Sequence, residues 1–339
     1  MNGLERILAA VRFQDLDRVP VVPQVFGHAA RAAGLPLDRY LTDPAVLARC
    51  QAAAMEDYRA DAVFALLDVN VETEALGSRL RYAKDSYPYV EHPVLERASA
   101  VGGLRLPDPR RAGRMPVALE AARLLRHAVG DRALVAGCVL GPMTLACQLM
   151  GAEAALFAAV DTPAAFEQVL DFAVDLALRF GAAQLEAGAH LCLVFEPSAS
   201  PAVVPPGFFR ELLAPRLRRL GAGLRDGGAV AGWLAIAGPI EPILPSFPAC
   251  GVDIASFDYC VDPRRARAAA PRLGLAGNIR PLAFVDSGPE AIAEACAPVL
   301  DLARTGGVIL SSGCEIPLEA RPECVRALAR AARAEGGRP

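Results

Sequence analysis

The sequence predicts an α/β protein closed into a single (β/α)8 TIM barrel, on three observations. Eight short apolar runs, several of them β-branched, recur along the chain, and nearly all are followed by a helical pattern. The 339 residues suit such a barrel as one domain, 1–339. No phosphate-cradling Gly-rich loop follows an early strand, which counts against the runner-up, a doubly wound open sheet. Composition agrees: 53% apolar and 22% charged residues describe a globular chain. The net charge of −3 and the scatter of the basic residues, nearly all arginine with Lys84 the only lysine, leave no electrostatic footprint for nucleic acid or an anionic membrane. Nine dispersed cysteines without a CxxC pair suit a reducing cytoplasm and form neither a disulfide framework nor a zinc ribbon.

The elements follow in order. Leu4, Ile7, Leu8 and Val11 make a short amphipathic start; with a charge at Glu5 and no long apolar run, no signal peptide is expected. Asp17-Arg18-Val19-Pro20-Val21-Val22-Pro23 leads into the first strand, which ends at Gln24 with His28 beyond. Thr42-Asp43-Pro44 caps a helix to about Arg59. Asp61–Leu67 is the second strand, ending at Asp68, with Asn70 close behind. From about 72 to 114 the chain is irregular and rich in Pro and Gly, an excursion from the barrel. Pro116–Val129 is a helix with an alanine and leucine stripe. Ala133–Gly137 is a strand followed by Cys138 and a Gly141-Pro142 turn, then helices at about Thr144–Val160 and from Thr162-Pro163 to about Ala187. The uncharged run from 133 to 152 has transmembrane length, but Gly137, Gly141-Pro142, Thr144 and Gln148 divide it into strand, turn and helix start.

Leu191–Phe195 is a strand ending at Glu196, and Pro206 opens a helix to about Leu224. Ala229–Ile236 ends near Gly238, a short helix spans Ile243–Pro248, and Ile254–Phe257 ends at Asp258 with Cys260 beyond. A helix starts at Pro263, and Leu273–Ala276 ends at Gly277-Asn278, followed by Arg280. Pro289 opens a helix to about Arg304. Gly307–Leu310 then breaks at Ser311-Ser312-Gly313 and presents Cys314 and Glu315 before a final helix, Pro322–Ala334.

A barrel builds its site from the residues just past the strands. Here these are Gln24, His28, Asp68, Asn70, Cys138, Glu196, Asp258, Cys260, Asn278, Arg280, Cys314 and Glu315. Carboxylates, thiols and an imidazole converging on one mouth can bind a metal or run acid–base chemistry. Each also has a packing role open to it: His28 as a helix-start residue, Asp258 as a cap, Cys192 and Cys314 as small buried hydrophobes. Glu196 ends an apolar strand, where an unpaired carboxylate is costly, which favours a functional role.

Several motifs carry a resemblance over nearly the whole chain: Asp17-Arg18-Val19-Pro20, Glu74-Ala75-Leu76-Gly77, Gly141-Pro142-Met143-Thr144-Leu145-Ala146, Gly277-Asn278-Ile279 with Pro281, and Gly313-Cys314-Glu315-Ile316-Pro317. With these the chain resembles the uroporphyrinogen decarboxylase superfamily, most closely its corrinoid-dependent branch of methylcobamide:coenzyme M methyltransferases. That resemblance implies the same barrel, a methyl transfer between a small substrate or thiol and the cobalt of a corrinoid (methylcobalamin) on a partner protein, and a zinc ion. It places Cys314 at a zinc-ligand position, where decarboxylases have histidine, and Asp68 where decarboxylases keep an essential aspartate. The arginine-rich decarboxylase signature near RQAGR is not matched by Gln24–Arg31.

The chain departs from the branch where it expects H-x-C-G. Ala235-Ile236-Ala237-Gly238 stands there, and alanine cannot ligate a metal. Arg280 stands where the family motif usually has aspartate, a cation able to meet a substrate carboxylate or to bridge to Glu315 or Glu196. Three outcomes follow. A rewired site would use Cys314 with Glu196, Cys260 or His28; a metal-free transferase would use Glu196, Cys314 and Asp68 as catalytic groups with Gln24, His28, Asn70, Asp258, Asn278, Arg280 and Glu315 at the substrate; a non-catalytic barrel would only bind a ligand or a corrinoid protein. A decarboxylase of a tetrapyrrole or small acid using Asp68 is the rival enzyme. The expected setting is cytoplasmic, with no nucleic acid and no membrane.

Overall fold

The structure, a computed structural model, describes residues 1–83 and 85–336, so Lys84 lies outside the described residues. The strands are β1 (Ala62–Phe64), β2 (Arg79–Arg81), β3 (Tyr89–His92), β4 (Leu134–Leu140), β5 (Leu191–Phe195), β6 (Trp233–Ala235), β7 (Ile254–Ser256), β8 (Gly274–Ile279) and β9 (Val308–Ser312). Seven of them form one parallel sheet in the order β1-β4-β5-β6-β7-β8-β9, while β2 and β3 pair as an antiparallel hairpin. Helices separate the parallel strands, as right-handed βα connection requires.

What closes this sheet is the segment 20–22. Val22 N–H donates to Leu310 C=O (2.9 Å) and Leu310 N–H to Pro20 C=O (2.9 Å), while Asp61 N–H reaches Val21 C=O (2.8 Å) from the other side. The first strand of the sequence reading is thus present as a single bridge, Val21 to Leu310, wedged between β9 and β1. Pro20 and Pro23 remove two ladder donors, which is why it stays so short. With eight chain segments around the ring, the open-sheet alternative falls. Inside, Phe26 meets Phe64 (ring centroids 5.0 Å) and Phe195 (5.9 Å), and Phe64 meets Trp233 (6.3 Å). Side chains from separate strands fill the lumen, so it is a packed core.

The Asp17-Arg18-Val19-Pro20 motif belongs to the opposite end from the mouth. Asp61 accepts from Arg6 Nη1 (2.5 Å), from Arg18 Nη1 (2.7 Å) and Nη2 (2.9 Å), and from Val21 N–H (2.7 Å). Arg6 also binds Asp17 through Nε (2.7 Å). The motif is a buried clamp that joins the closing segment to β1.

Several boundaries differ from the sequence reading. β1 ends at Phe64 because Ala65 N–H to Ala136 C=O (2.8 Å) is its last bond to β4. Beyond it two side chains take the place of a strand edge: Gln184 bonds both the N–H (2.9 Å) and the C=O (2.7 Å) of Cys138, and Glu72 accepts from Leu140 N–H (2.9 Å). Cys138, expected past a strand end, is therefore a buried residue within β4. The helix expected at Thr144–Val160 is two, Pro142–Met150 and Ala152–Asp161, bent by 109° where Gly151 adopts φ +86°. No single described helix is long and apolar enough to cross a membrane; that bent pair passes only jointly, and its first half is largely buried. The excursion holds a helix at Val71–Ala75, the β2–β3 hairpin and a 3-10 turn at Ala98–Gly103. The helix from Pro206 to Asp226 carries a π turn at Phe209–Leu213.

Candidate active site

The excursion folds back over the strand ends and is tied there by polar side chains. Arg114, at its far end, donates to Asp68 (Nη1 2.5 Å, Nη2 3.3 Å) and to Glu74 (Nε 2.7 Å). The carboxylates around it raise the Arg114 pKa above its ordinary range even though burial opposes this. Tyr82 hydrogen-bonds Glu74 (2.8 Å), and the Arg114 guanidinium lies over its ring. Asn70 takes Asp68 as acceptor for its N–H (2.8 Å) and donates its side-chain amide to Pro88 C=O (2.7 Å). Tyr87 accepts from Gly27 N–H (2.7 Å) and donates to Glu315 (2.5 Å), so its one hydroxyl proton is fixed on Glu315. Burial pushes Glu315 up to about 7, the Tyr87 bond opposes this and the Asp68 charge adds to it.

On the β9 side, Gln24 N–H meets Ser312 Oγ (3.2 Å), its amide nitrogen meets Ser312 C=O (3.3 Å), and its C=O accepts from Ile316 N–H (3.0 Å). Gln24 is 1% exposed, and its Oε1 has no hydrogen-bond partner among the described residues. Cys314 is half-buried, and burial raises its thiol pKa; the Glu315 backbone N–H works against this while the Glu315 and Asp258 charges add to it, so the thiol form is held. Asp258 accepts from Gly238 N–H (2.9 Å) and Tyr259 N–H (2.7 Å), a brace between the turns after β6 and β7. Asn278 donates its amide to Val261 C=O (2.8 Å).

Other residues of the sequence set stand elsewhere. Glu196, expected to be catalytic or a metal ligand, is fully buried with its carboxylate under the helix Pro142–Met150: Met143 N–H (2.7 Å) and Thr144 N–H (2.9 Å) both donate to it. Burial raises it to about 7, and those amides work against the rise. The helix N-terminus satisfies this carboxylate. Gly141 permits the approach, since a Cβ there would lie 2.5 Å from the Glu196 carboxyl. His28 opens the short helix His28–Ala32, with one ring nitrogen at Tyr58 OH (2.9 Å) and the other at Leu318 C=O (3.3 Å); burial lowers its pKa. Arg280 bridges to neither Glu315 nor Glu196: it is half exposed and pairs with Asp286 at 3.6 Å. Cys260 is exposed in the loop after β7.

These placements decide how a zinc ion fits. Among the described residues no group of three or more His, Cys, Asp or Glu could hold a metal ion. The set Cys314, Glu196 and Cys260 fails because Glu196 is taken by two amides and Cys260 lies out in a loop. At the end of β6, Ala235 and Ala237 offer no donor. The residues present do not fit the zinc site that the resemblance implies, and no step is routed through one.

Sequence reasoning missed Arg114, Tyr87, Glu72 and Gln184. The first two sit in the irregular excursion and meet Asp68 and Glu315 only across 46 and 228 positions of sequence. Glu72 opens that same excursion, in a short helix the sequence does not announce, and Gln184 lies within a helical pattern, where a polar residue reads as solvated face. Burial drives Glu72 up to about 7.

Eight parallel segments with polar ends gathered beneath a strap of chain place this protein among the (β/α)8 barrels whose site opens at the C-terminal mouth. It belongs to the uroporphyrinogen decarboxylase (URO-D) family, which matches residues 2–335. It is 29% identical over 333 residues to the methylcobamide:CoM methyltransferase MtaA of Methanosarcina barkeri, covering 96% of each chain. It is 26% identical to the uroporphyrinogen decarboxylase of Anaeromyxobacter dehalogenans, covering 98% of this chain and 99% of that one. Its fold is similar to a solved methyltransferase from Methanosarcina mazei, with a TM-score of 0.88, 26% identity, and 98% and 99% of the two chains covered.

Proposed function

We propose that this protein is a corrinoid-dependent methyltransferase that moves a methyl group between a small molecule at the barrel mouth and the cobalt of a corrinoid carried by a separate protein. The observation that carries the reading is where the exposed large apolar side chains lie. Among the described residues, all of them apart from Met1 and Val230 sit on segments that follow strand ends, among them Tyr82, Phe157 (59% exposed), Val160 (78%), Val203, Tyr259 and Leu282. Exposed apolar side chains on the segments that follow strand ends offer a surface for another protein, and a corrinoid carrier must bring its cobalt to the mouth those segments leave. The methyltransferase relatives support the same reading. Transfer to or from cobalt needs an in-line approach in a water-poor pocket, so positioning supplies much of the rate. In this assignment Gln24, Asn70, Asp258, Asn278, Glu315 and Cys314 line the substrate, and Asp68 holds the strap through Arg114.

The test is optical. Cob(I)alamin and methylcobalamin differ in their visible spectra, so incubation with candidate methyl donors, or of methylcobalamin with thiols, reads transfer directly. Transfer by the wild-type chain supports the proposal. Phe157→Glu should slow exchange with a corrinoid protein while leaving exchange with free methylcobalamin unchanged. Carbon dioxide release from uroporphyrinogen with no methyl transfer would establish the decarboxylase reading instead. Ligand binding with neither reaction would leave a binding barrel.

A further inference from the structure

The polar groups around the mouth are lopsided. Gln24, Asn70 and Asn278 each donate their side-chain NH2 to a backbone carbonyl, of Ser312, Pro88 and Val261. Each amide also keeps its oxygen as an acceptor. The Gln24 orientation is fixed by chemistry: reversing the amide would set its oxygen against the Ser312 carbonyl. Its Oε1 is then a buried acceptor with no partner among the described residues, an arrangement that costs free energy unless a ligand supplies a donor. Asp68, Asp258 and Glu315 add carboxylates to the same ring. Arg114 and Arg280 are themselves engaged, Arg114 with Asp68 and Glu74, Arg280 with Asp286.

We propose that the mouth takes a small protonated methylamine as its methyl-bearing substrate, and not an anionic thiol such as coenzyme M, the acceptor named in its relatives. The proposal rests on the methyltransferase reading of the same site and names its substrate class. An ammonium ion brings a positive charge to the ring's carboxylates and an N–H donor to the Gln24 oxygen; a sulfonate brings more acceptors and more negative charge. The chemistry fits the two alanines at the end of β6 as well. Attack by cobalt(I) on trimethylammonium breaks one N–CH3 bond and forms the Co–CH3 bond. Cobalt supplies the electron pair and becomes cobalt(III), while the N–C pair stays on nitrogen and dimethylamine leaves neutral. The leaving group is already protonated and needs neither a Lewis acid nor a thiolate.

Calorimetric titration of the full-length protein, without corrinoid, tests this with trimethylammonium chloride, sodium 2-mercaptoethanesulfonate and the uncharged tert-butanol as probes. Trimethylammonium should bind at least about tenfold more tightly than either of the others, the scale of one hydrogen bond to a charged group. Gln24→Leu should weaken it about tenfold, and Gln24→Glu should restore or strengthen it, with thermal melts confirming that both variants are folded. Equal or tighter binding of the sulfonate, no heat from trimethylammonium, or a Gln24→Leu variant that binds like wild type would each overturn the proposal. No corrinoid is present, so trimethylammonium binding without any methyl transfer to cob(I)alamin would keep the ligand class and sink the transferase reading. Transfer from a different donor, with no ammonium binding, would do the reverse.

Discussion

The two ends of the barrel handle buried charge in opposite ways. At the N-terminal end Asp61 is matched completely: two arginines and a backbone N–H converge on it, and Arg6 carries the network on to Asp17. At the mouth, Glu315 is met by a tyrosine, Gln24 keeps an oxygen without a partner among the described residues, and Glu72 is buried against a backbone N–H on β4. Complete matching makes burial of charge tolerable, and it is what a permanent seam requires. Partial matching leaves capacity for a ligand, and it is found where the chain must recognise something. The same contrast separates the motifs, since Asp17-Arg18-Val19-Pro20 closes the barrel while Gly313-Cys314-Glu315 lies past the C-terminal end of β9.

The comparison breaks most sharply at Asp61. Asp61→Ala should destabilise the fold by about 3–5 kcal/mol in urea denaturation, because it takes the carboxylate from Arg18, leaves Arg6 with the Asp17 carboxylate alone and strands the Val21 N–H at a buried seam. If it costs less than the mouth variant Gln24→Leu, the contrast between the ends is wrong. Next comes Gly141→Ala, whose Cβ would overlap the Glu196 carboxyl and lift it off the helix start; about 1–3 kcal/mol of overpacking is expected in the same assay.

The pH dependence should split by end. Asp17 is held well below the usual carboxylate range by its bond to Arg6. Its contribution is present above its ordinary range near 3.8 and lost as pH falls through the depressed value. Glu72 is raised by burial from an ordinary 4.5 to about 7, so its folded form holds a proton that the unfolded chain releases. That contribution is full below 4.5 and declines as pH rises toward about 7. Thermal melts from pH 4.5 to 8 should show Tm falling over this window, and Glu72→Gln should flatten the fall. A Tm that rises through it would contradict the assignment. The smallest effect belongs to Arg280→Ala, which removes a half-exposed pair with Asp286 and should change stability by less than about 0.5 kcal/mol. A larger loss would mean that Arg280 acts in the mouth after all.

Much of this was legible beforehand, for a local reason. Apolar runs bounded by Gly and Pro mark strands and helices whatever surrounds them, so the barrel, its strand ends and the ring including Asp68, Asn278 and Cys314 could be read from pattern alone. Ala235 and Ala237 were legible too, because alanine lacks a donor in any conformation. The use made of each polar strand end was not legible. Glu196 looked like chemistry because it ends an apolar strand, yet the helix that follows β4 claims its carboxylate. His28 has its ring filled by Tyr58 and Leu318, and Arg280 turns outward to Asp286.

The sequence by itself therefore determined the βα alternation and its order around the barrel, the strand ends that carry polar residues, and the alanines where the H-x-C ligand pair would stand. Tertiary structure alone decided which of those polar groups remain open. Arg114 reaches Asp68, Tyr87 reaches Glu315 and Glu72 reaches the edge of β4 across gaps of 46, 228 and 68 residues. Periodicity speaks for one helix or strand at a time, while a hydrogen bond depends on where two distant segments meet.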